Sequence, residues 1–439
     1  MTSQTIREMA AEARQAGLAL SATTPALRNQ ALLSIGEAIR RRLDGIRTAN
    51  EEDVRQAIAE KLSPPLVARL RFGEAKATHV IEGLRALSLL PDPLNRVQYA
   101  NEIAEGLRLY RTTCPIGVIG VIFESRPDAL VQISSLCLKS GNAVLLKGGR
   151  EALRTNEALF QAIVEGAREA GLPDGWCHLL HSREDVDEML RLDDSIDLII
   201  PRGSNAFVRH IMRNSAIPVL GHSEGICHVY VDQAADLTEA VSLVVDSKTQ
   251  NLSVCNAAET LLVHEAVAEA FLPRVAEALR SKGTELRGDE RTRMLIGCEP
   301  ATEEDWHTEY LDAILSIRIV DSLREAIAHI NRYGSRHTDS ILTRDTAAIE
   351  TFMTLVDSAD VFANCSTRFS DGFLFGFGAE VGIATGKVHA RGPMGLEGLC
   401  TYKYRLYGHG HTLADLNAGT FPLLHRALPN DIPPYDPAR

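Results

Sequence analysis

PIGVIGVIFESRPDALVQISSLCLKSGNAVLLK (115–147) is the stretch that decides the fold. Its first nine residues are an apolar, β-branched run of buried-strand length. PDALVQISSLCLKSG (127–141) reads as a helix, with Pro127 in its first turn and Gly141 past its end. AVLLK (143–147) is a strand again. Further along, REALRTNEALFQAIVEGAREAG (150–171), WCHLL (176–180), REDVDEMLRL (183–192), IDLII (196–200), SNAFVRHIMR (204–213) and IPVLG (217–221) keep the alternation going. Five strands alternating with four helices predict a doubly wound parallel sheet, a Rossmann-type α/β domain. Ligands of such sheets sit beyond the carboxyl ends of the strands. The residues there are Glu124–Arg126, Lys147–Arg150, Pro201–Ser204 and Gly221–Ser223.

Residues 1–90 carry apolar positions at helical spacing and read as helices. Residues 97–113 alternate as a β-hairpin arm would, with a helix as the rival reading. A second α/β series starts at ICHVYVD (226–232) and runs through AETLLVH (258–264), ILSIRIV (314–320), SILT (340–343) and VFAN (361–364), with helices at 266–281 and 322–333. Residues 370–398 form a glycine-dense loop of a length that is usually functional. The tail from 422 holds five of the 18 prolines and reads as irregular. The expected division is a cofactor-binding domain over 1–225 with its arm at about 96–111, a catalytic domain over 226–369, and a glycine-rich return with a C-terminal strand and tail over 370–439.

A chain of 439 residues with 45% apolar content supports a sizeable core in two or three domains. Its net charge of -12 argues against nucleic acid or an anionic membrane as partner. No run of about 18 apolar residues predicts a membrane span. MTSQTIREMAAEARQAG is an amphipathic helix with both charge signs, unlike a signal peptide. Eight cysteines lie no closer than 23 residues apart, without paired spacing, as in a reducing cytoplasm. No metal site is expected from these spacings.

Cys255 lies in KTQNLSVCNAAET (248–260), on a short helix or turn just before a strand. A half-exposed thiol near a helix N-terminus suits a nucleophile; a buried structural cysteine is the alternative. Lys147 and Arg150 bracket a Gly-Gly pair at a strand-to-helix turn, a setting for a phosphate or ribose, or else a solvated basic turn. Arg202-Gly203-Ser204 offers a second anion site, although no GxGxxG follows any strand. His329, His337 and Asp339 in AIAHINRYGSRHTDSI either shuttle protons or build a turn.

Several segments together resemble the gamma-glutamyl phosphate reductases of the aldehyde dehydrogenase superfamily. They are PIGVIGVIFESRP, CLKSGNAVLLKGG, GICHVYVD, VCNAAETLLVH, TRFSDG, GAEVGIATGKVHARGPMGLEGL and TYKY, and above all VDSLREAIAHINRYGSRHTDSI (320–341). The resemblance spans nearly the whole chain. It implies an aldehyde-dehydrogenase-like fold and NADPH-dependent reduction of L-glutamyl 5-phosphate to L-glutamate 5-semialdehyde in proline synthesis. Cys255 matches the nucleophile, Lys147 the lysine at the adenosine ribose, Gly203 and Ser204 the pair near the pyrophosphate, and Glu309 the glutamate at the nicotinamide ribose. Arg150 stands where many NAD-dependent relatives carry a glutamate that repels a 2′-phosphate, which favours NADP.

Gly221 replaces the general base of hydrolytic relatives, with His222 next to it, and Ser125 replaces their oxyanion asparagine. The oxyanion donors stay open among the Cys255 N–H, Ser125 and Asn256. NLS precedes Val254 where Arg-Pro-Gly is common in the family. Arg126, Arg368 and Arg391 are candidates to hold the substrate's carboxylate and phosphate, or else structural arginines. Relatives form homo-oligomers through a hairpin arm and a C-terminal strand, matched here by 96–111 and 400–412, and the resemblance also implies a contact with a glutamate 5-kinase as a candidate partner. A dehydrogenase for another small aldehyde and a non-catalytic binding subunit are the competing readings.

Overall fold

The computed structural model describes residues 4–124, 126–222 and 224–432. It packs as two units: Met1–Gly203 with Asn214–Val219 and Gly395–Arg439, and Ser204–Arg213 with Leu220–Met394.

The first unit opens with α1 (Ile6–Ser21), α2 (Pro25–Arg41), α3 (Leu43–Ala59), α4 (Pro64–Leu70) and α5 (Glu74–Leu89). The helix starts are marked chemically. Thr5 and Glu8 cap α1 reciprocally, and Thr24 caps α2 ahead of Pro25. A hairpin follows, β1 (Val97–Ala104) and β2 (Leu107–Pro115), turned at Gly106 with φ +76°. Then come β3 (Val118–Phe123), α6 (Pro127–Lys139), β4 (Ala143–Lys147), α7 (Leu153–Glu169), β5 (Cys177–Leu180), α8 (Arg183–Met189) and β6 (Leu198–Arg202).

The parallel sheet has the order β5-β4-β3-β6, and β3 is buried along its whole length. Burial on both faces is why these strands read as unbroken apolar runs. Strand order reverses between β3 and β6, so Arg126 and Gly203 lie just beyond the two strands at the switch point. The expected fifth strand at 217–221 is not one. It makes a single bridge, Val219 to Ile199, because Pro218 has no N–H to extend a ladder.

In the second unit the order is α9 (Asn205–Asn214), β7 (Cys227–Val231), α10 (Leu237–Thr249), β8 (Ala258–His264), α11 (Glu265–Ser281), β9 (Glu285–Gly288), α12 (Glu290–Ile296), β10 (Glu299–Pro300), β11 (Ile314–Val320), α13 (Leu323–Tyr333), β12 (Thr338–Leu342), α14 (Thr346–Leu355), β13 (Asp360–Ala363), β14 (Gly382–Ala384) and β15 (Gly392–Met394). Seven of these strands form a parallel sheet, β10-β9-β11-β8-β7-β12-β13. Successive side chains serve opposite faces. Val229, Leu261 and Ile317 meet Val244 and Phe271 of α10 and α11 on one face; Tyr230 and Leu262 meet Ile330 and Phe352 of α13 and α14 on the other.

The chain returns to the first unit as β16 (Cys400–Tyr407), α15 (Leu413–Asn417) and β17 (Arg426–Ala427). These strands complete an antiparallel sheet with the order β16-β2-β1-β17. Among the described residues, no helix is long and apolar enough to cross a membrane.

Candidate active site

Cys255 sits half-buried in the turn between α10 and β8. The expected helix N-terminus is absent: the preceding element is the C-terminal end of α10, so no helix start faces the thiol from its own segment. Instead, the turn is held from all sides. Cys227 Sγ donates to the Cys255 carbonyl at 3.2 Å. Asn256 Nδ2 donates to Ser370 O at 2.8 Å, and Thr367 Oγ1 donates to Asn256 O at 2.7 Å. Gly225 passes so close that a Cβ there would lie 2.0 Å from the Cys255 carbonyl oxygen. The ends of the turn are clamped by a wholly buried ion pair, Lys248 Nζ to Glu259 Oε2 at 2.5 Å. Burial pushes the Glu259 carboxyl up to about 7 and the Lys248 ammonium down.

Cys255 Sγ lies 3.2 Å from Nε2 of His337, which is buried just ahead of β12. The other ring nitrogen, Nδ1, is 2.8 Å from Thr338 Oγ1. That hydroxyl donates to Asp360 Oδ2 at 3.5 Å, and Ser370 Oγ donates to the same oxygen at 2.5 Å. With its proton directed to Asp360, the Thr338 oxygen accepts from Nδ1–H. Nε2 is then left with the lone pair that faces the sulfur. His222 packs edge-to-face on His337, ring centroids 4.9 Å apart. The other two members of the His/Asp motif lie elsewhere. Asp339 pairs with His228 at 2.9 Å, fully buried, and burial holds His329 neutral, its imidazolium pushed down to about 2.

Arg368 senses the charge of the thiol. Burial lowers its guanidinium, and the negative charge of the Cys255 thiolate is the largest influence that opposes this. Its Nε donates to Gln250 Oε1 at 2.9 Å, just ahead of the nucleophile turn. Arg391 is held by the Asp357 carbonyl at 2.9 Å and carboxylate at 3.1 Å, a carboxylate that Lys387 also reaches at 2.8 Å. Arg126, in the first unit, is exposed at the cap of α6. Ser125 lies outside the described residues.

The nucleotide candidates fall at strand ends. Lys147 closes β4, half-buried, its Nζ donating to Gly148 O at 2.5 Å, and burial lowers its ammonium. Gly148 is packed against Asn156 and Phe123: a Cβ there would sit 2.2 Å from Asn156 Nδ2, so only glycine fits beside Lys147. Arg150 is 86% exposed and makes a long 3.7 Å pairing to Glu60. Nearby, Leu153, Arg154, Glu157, Ala158 and His181 line a hollow of about 430 Å³. This small-residue cradle flanked by a half-buried and an exposed cation fits the phosphate and ribose of a nucleotide. Gly203 follows β6 and Ser204 precedes α9. In the second unit, Asn205 Nδ2 donates to Glu309 Oε2 at 2.7 Å, which brings Glu309 beside the start of α9 and Ser204.

Sequence spacing missed Gly225, Thr338, Asp360 and the joining of His222 with Cys255. Each belongs to a different loop or strand end, so only the fold assembles them.

The sequence and the fold match known proteins. The sequence model of the aldehyde dehydrogenase family matches residues 1–297. The gamma-glutamyl phosphate reductase of Acetivibrio thermocellus is 55% identical over 98% of this chain and 99% of its own length. That of Pelotomaculum thermopropionicum is 55% identical over 97% and 98%. A crystal structure of gamma-glutamyl phosphate reductase from Thermotoga maritima superposes with a TM-score of 0.91 at 41% identity, covering 93% of this chain and 99% of that one. The chain belongs to the aldehyde dehydrogenase family, among its gamma-glutamyl phosphate reductases. An acetylating aldehyde dehydrogenase from Geobacillus thermoglucosidasius, 16% identical with a TM-score of 0.63 over 93% of this chain and 97% of its own, shares the fold.

Proposed function

We propose that the chain reduces L-glutamyl 5-phosphate to L-glutamate 5-semialdehyde and inorganic phosphate with NADPH, the reductive step toward L-proline. The observation that carries this reading is the half-exposed Cys255 sulfur 3.2 Å from the basic face of His337. His337 Nε2 takes the thiol proton. The thiolate attacks the acyl carbon, the carbon–oxygen bond to phosphate breaks, and phosphate leaves with its electron pair. A thioester on Cys255 remains. The Cys255 backbone N–H, Ser125 and Asn256 are the candidate donors to the oxyanion, and the backbone N–H is preferred because the Asn256 amide already serves Ser370. When bound, NADPH supplies the hydride that brings this thioester to the aldehyde level. The thiohemiacetal then collapses, expelling the thiolate and freeing the aldehyde.

Gly221 presents no side chain to activate water, so the thioester survives long enough to be reduced. That counts against a hydrolytic dehydrogenase for another aldehyde. Lys147, Gly203, Ser204 and Glu309 would hold the nicotinamide cofactor, and Arg150 would favour the 2′-phosphate of NADP. Arg368, which no carboxylate holds among the described residues, and Arg126 are the candidates for the substrate's anionic ends; Arg391 is already engaged by Asp357. In domain terms, 1–225 would bind cofactor, 226–369 carry the chemistry and 370–439 return to the arm.

Run in reverse, the enzyme is expected to reduce NADP+ with glutamate semialdehyde only when phosphate is present, and Cys255→Ala abolishes this. A rate independent of phosphate would point to hydrolysis instead. Arg150→Glu is expected to move the preference from NADP toward NAD; an unchanged ratio removes the charge argument.

A further inference from the structure

The site holds a second arrangement, built from the nucleophile, its base and a third side chain that the reductase reaction does not use. His222, Cys255 and His337 each present a donor atom, and these three atoms lie within 4.8 Å of one another. They come from three separate segments: the loop ahead of β7, the turn ahead of β8 and the residue ahead of β12. Both imidazoles are pinned from behind. His222 Nδ1 is 2.9 Å from the Ile383 carbonyl, which only accepts, so Nδ1 carries the proton and Nε2 keeps its lone pair. His337 is fixed the same way through Nδ1 and Thr338 Oγ1 at 2.8 Å. An imidazole whose far nitrogen bonds a carbonyl or hydroxyl is the usual outer support of a metal-binding histidine.

We infer that His222, Cys255 and His337 form a binding site for a soft divalent cation, Zn2+ in particular, and that filling it silences the enzyme. Two imidazoles and a thiolate are ligands of choice for Zn2+, and three protein ligands leave a fourth tetrahedral position for water. Bonds of about 2.0–2.3 Å require ligand atoms roughly 3.5 Å apart. The Cys255–His337 pair, at 3.2 Å, is already near that spacing. The widest pair needs to close by about 1 Å, within reach of the half-buried His222 and Cys255 side chains. On binding, the Cys255 Sγ–H bond breaks, its proton goes to solvent and the sulfur lone pair passes to the metal. No electron is transferred. The nucleophile and the base are then both occupied, so Zn2+ competes with the acyl phosphate. This inhibition rests on the reading of Cys255 as nucleophile; the binding itself does not.

The test uses the full-length protein titrated with Co2+ and Zn2+. Co2+ is expected to give one thiolate-to-cobalt absorption band per chain, displaced by Zn2+ and missing in Cys255→Ser. Zn2+ is expected to inhibit reversibly, with EDTA restoring turnover. In His222→Ala and His222→Gln, Zn2+ sensitivity is read against each variant's own uninhibited turnover. Half-inhibition needs at least about tenfold more Zn2+, as expected when a ligand is lost. The pair of variants guards against a folding defect in either one. Unchanged Zn2+ sensitivity in both active variants, or no thiolate band at saturating Co2+, overturns the site. A cobalt band with undiminished turnover overturns the nucleophile assignment, and the inhibition with it, while upholding the site.

Discussion

His337 is the residue whose role is most open to measurement. Its Nε2 faces the Cys255 sulfur at 3.2 Å while Thr338 occupies its Nδ1. A base so placed can take the thiol proton as the sulfur attacks. His337→Gln keeps much of the side chain's volume and can still hydrogen-bond Thr338. It is expected to lower turnover by about 10²–10⁴-fold. The same variant is expected to slow alkylation of Cys255 by iodoacetamide at pH 7. Parent-like alkylation at pH 7 would remove His337 from the role of base. At this scale the sequence was only half legible. Cys255 stood out because an isolated thiol in a polar turn before a buried strand is uncommon. His337 was a candidate proton shuttle, but its pairing with Cys255 was not legible, because it lies 82 positions away and two from Asp339, whose carboxylate is committed to His228.

Elements were easier to read than the contacts between them. Strands buried on both faces, such as β3 and β8, announce themselves as apolar runs, and α11 and α13 by their spacing. Short polar strands such as β9 (ELRG) and β10 (EP) carry no such signal. The valines in α10 hide its helical period, and Lys248 at its end reads as surface when it is wholly buried. That lysine joins α10 to Glu259 of β8 across the nucleophile turn, and Glu259 also accepts from Leu311 N at 3.4 Å in the loop that carries Glu309. Breaking a buried pair leaves one charge uncompensated, whereas replacing both with apolar groups removes the desolvation cost. Lys248→Met alone is therefore expected to cost about 3–5 kcal/mol, and Lys248→Met with Glu259→Leu to lie between neutral and about 4 kcal/mol more stable than the parent. The pH dependence has a definite sign. Glu259 ionises near 7 in the folded chain and near 4.5 otherwise, so between those values the folded state holds more protons and this group's contribution declines as pH rises. The advantage of the double variant over the parent should therefore widen from pH 5 to pH 8. Urea unfolding at the two pH values measures it, and a gap that narrows would contradict the burial-driven shift.

For the molecule as a whole, the antiparallel sheet β16-β2-β1-β17 raises the question of what covers its edge. β16 is hydrogen-bonded to β2 on one side and, among the described residues, to no strand on the other. It is eight residues long, and Tyr402, Tyr404 and Leu406 stand 50%, 60% and 57% exposed on one face of it. A long apolar edge that no strand pairs is a template for another strand, and a protein that leaves one bare invites indiscriminate pairing. Lys403 and Arg405, which alternate with the apolar residues, point to the opposite face and leave the apolar row unbroken. A second copy of the chain satisfies the edge most economically, because two identical strands can pair antiparallel about a twofold axis and bury the same row from both sides. The chain is accordingly expected to sediment at no less than twice 48.0 kDa. Tyr404→Lys combined with Leu406→Lys places like charges across that axis and should return it to 48.0 kDa with the melting of the remaining fold still cooperative. A parent chain that sediments at 48.0 kDa at micromolar concentration would show that β16 is not an interface between copies.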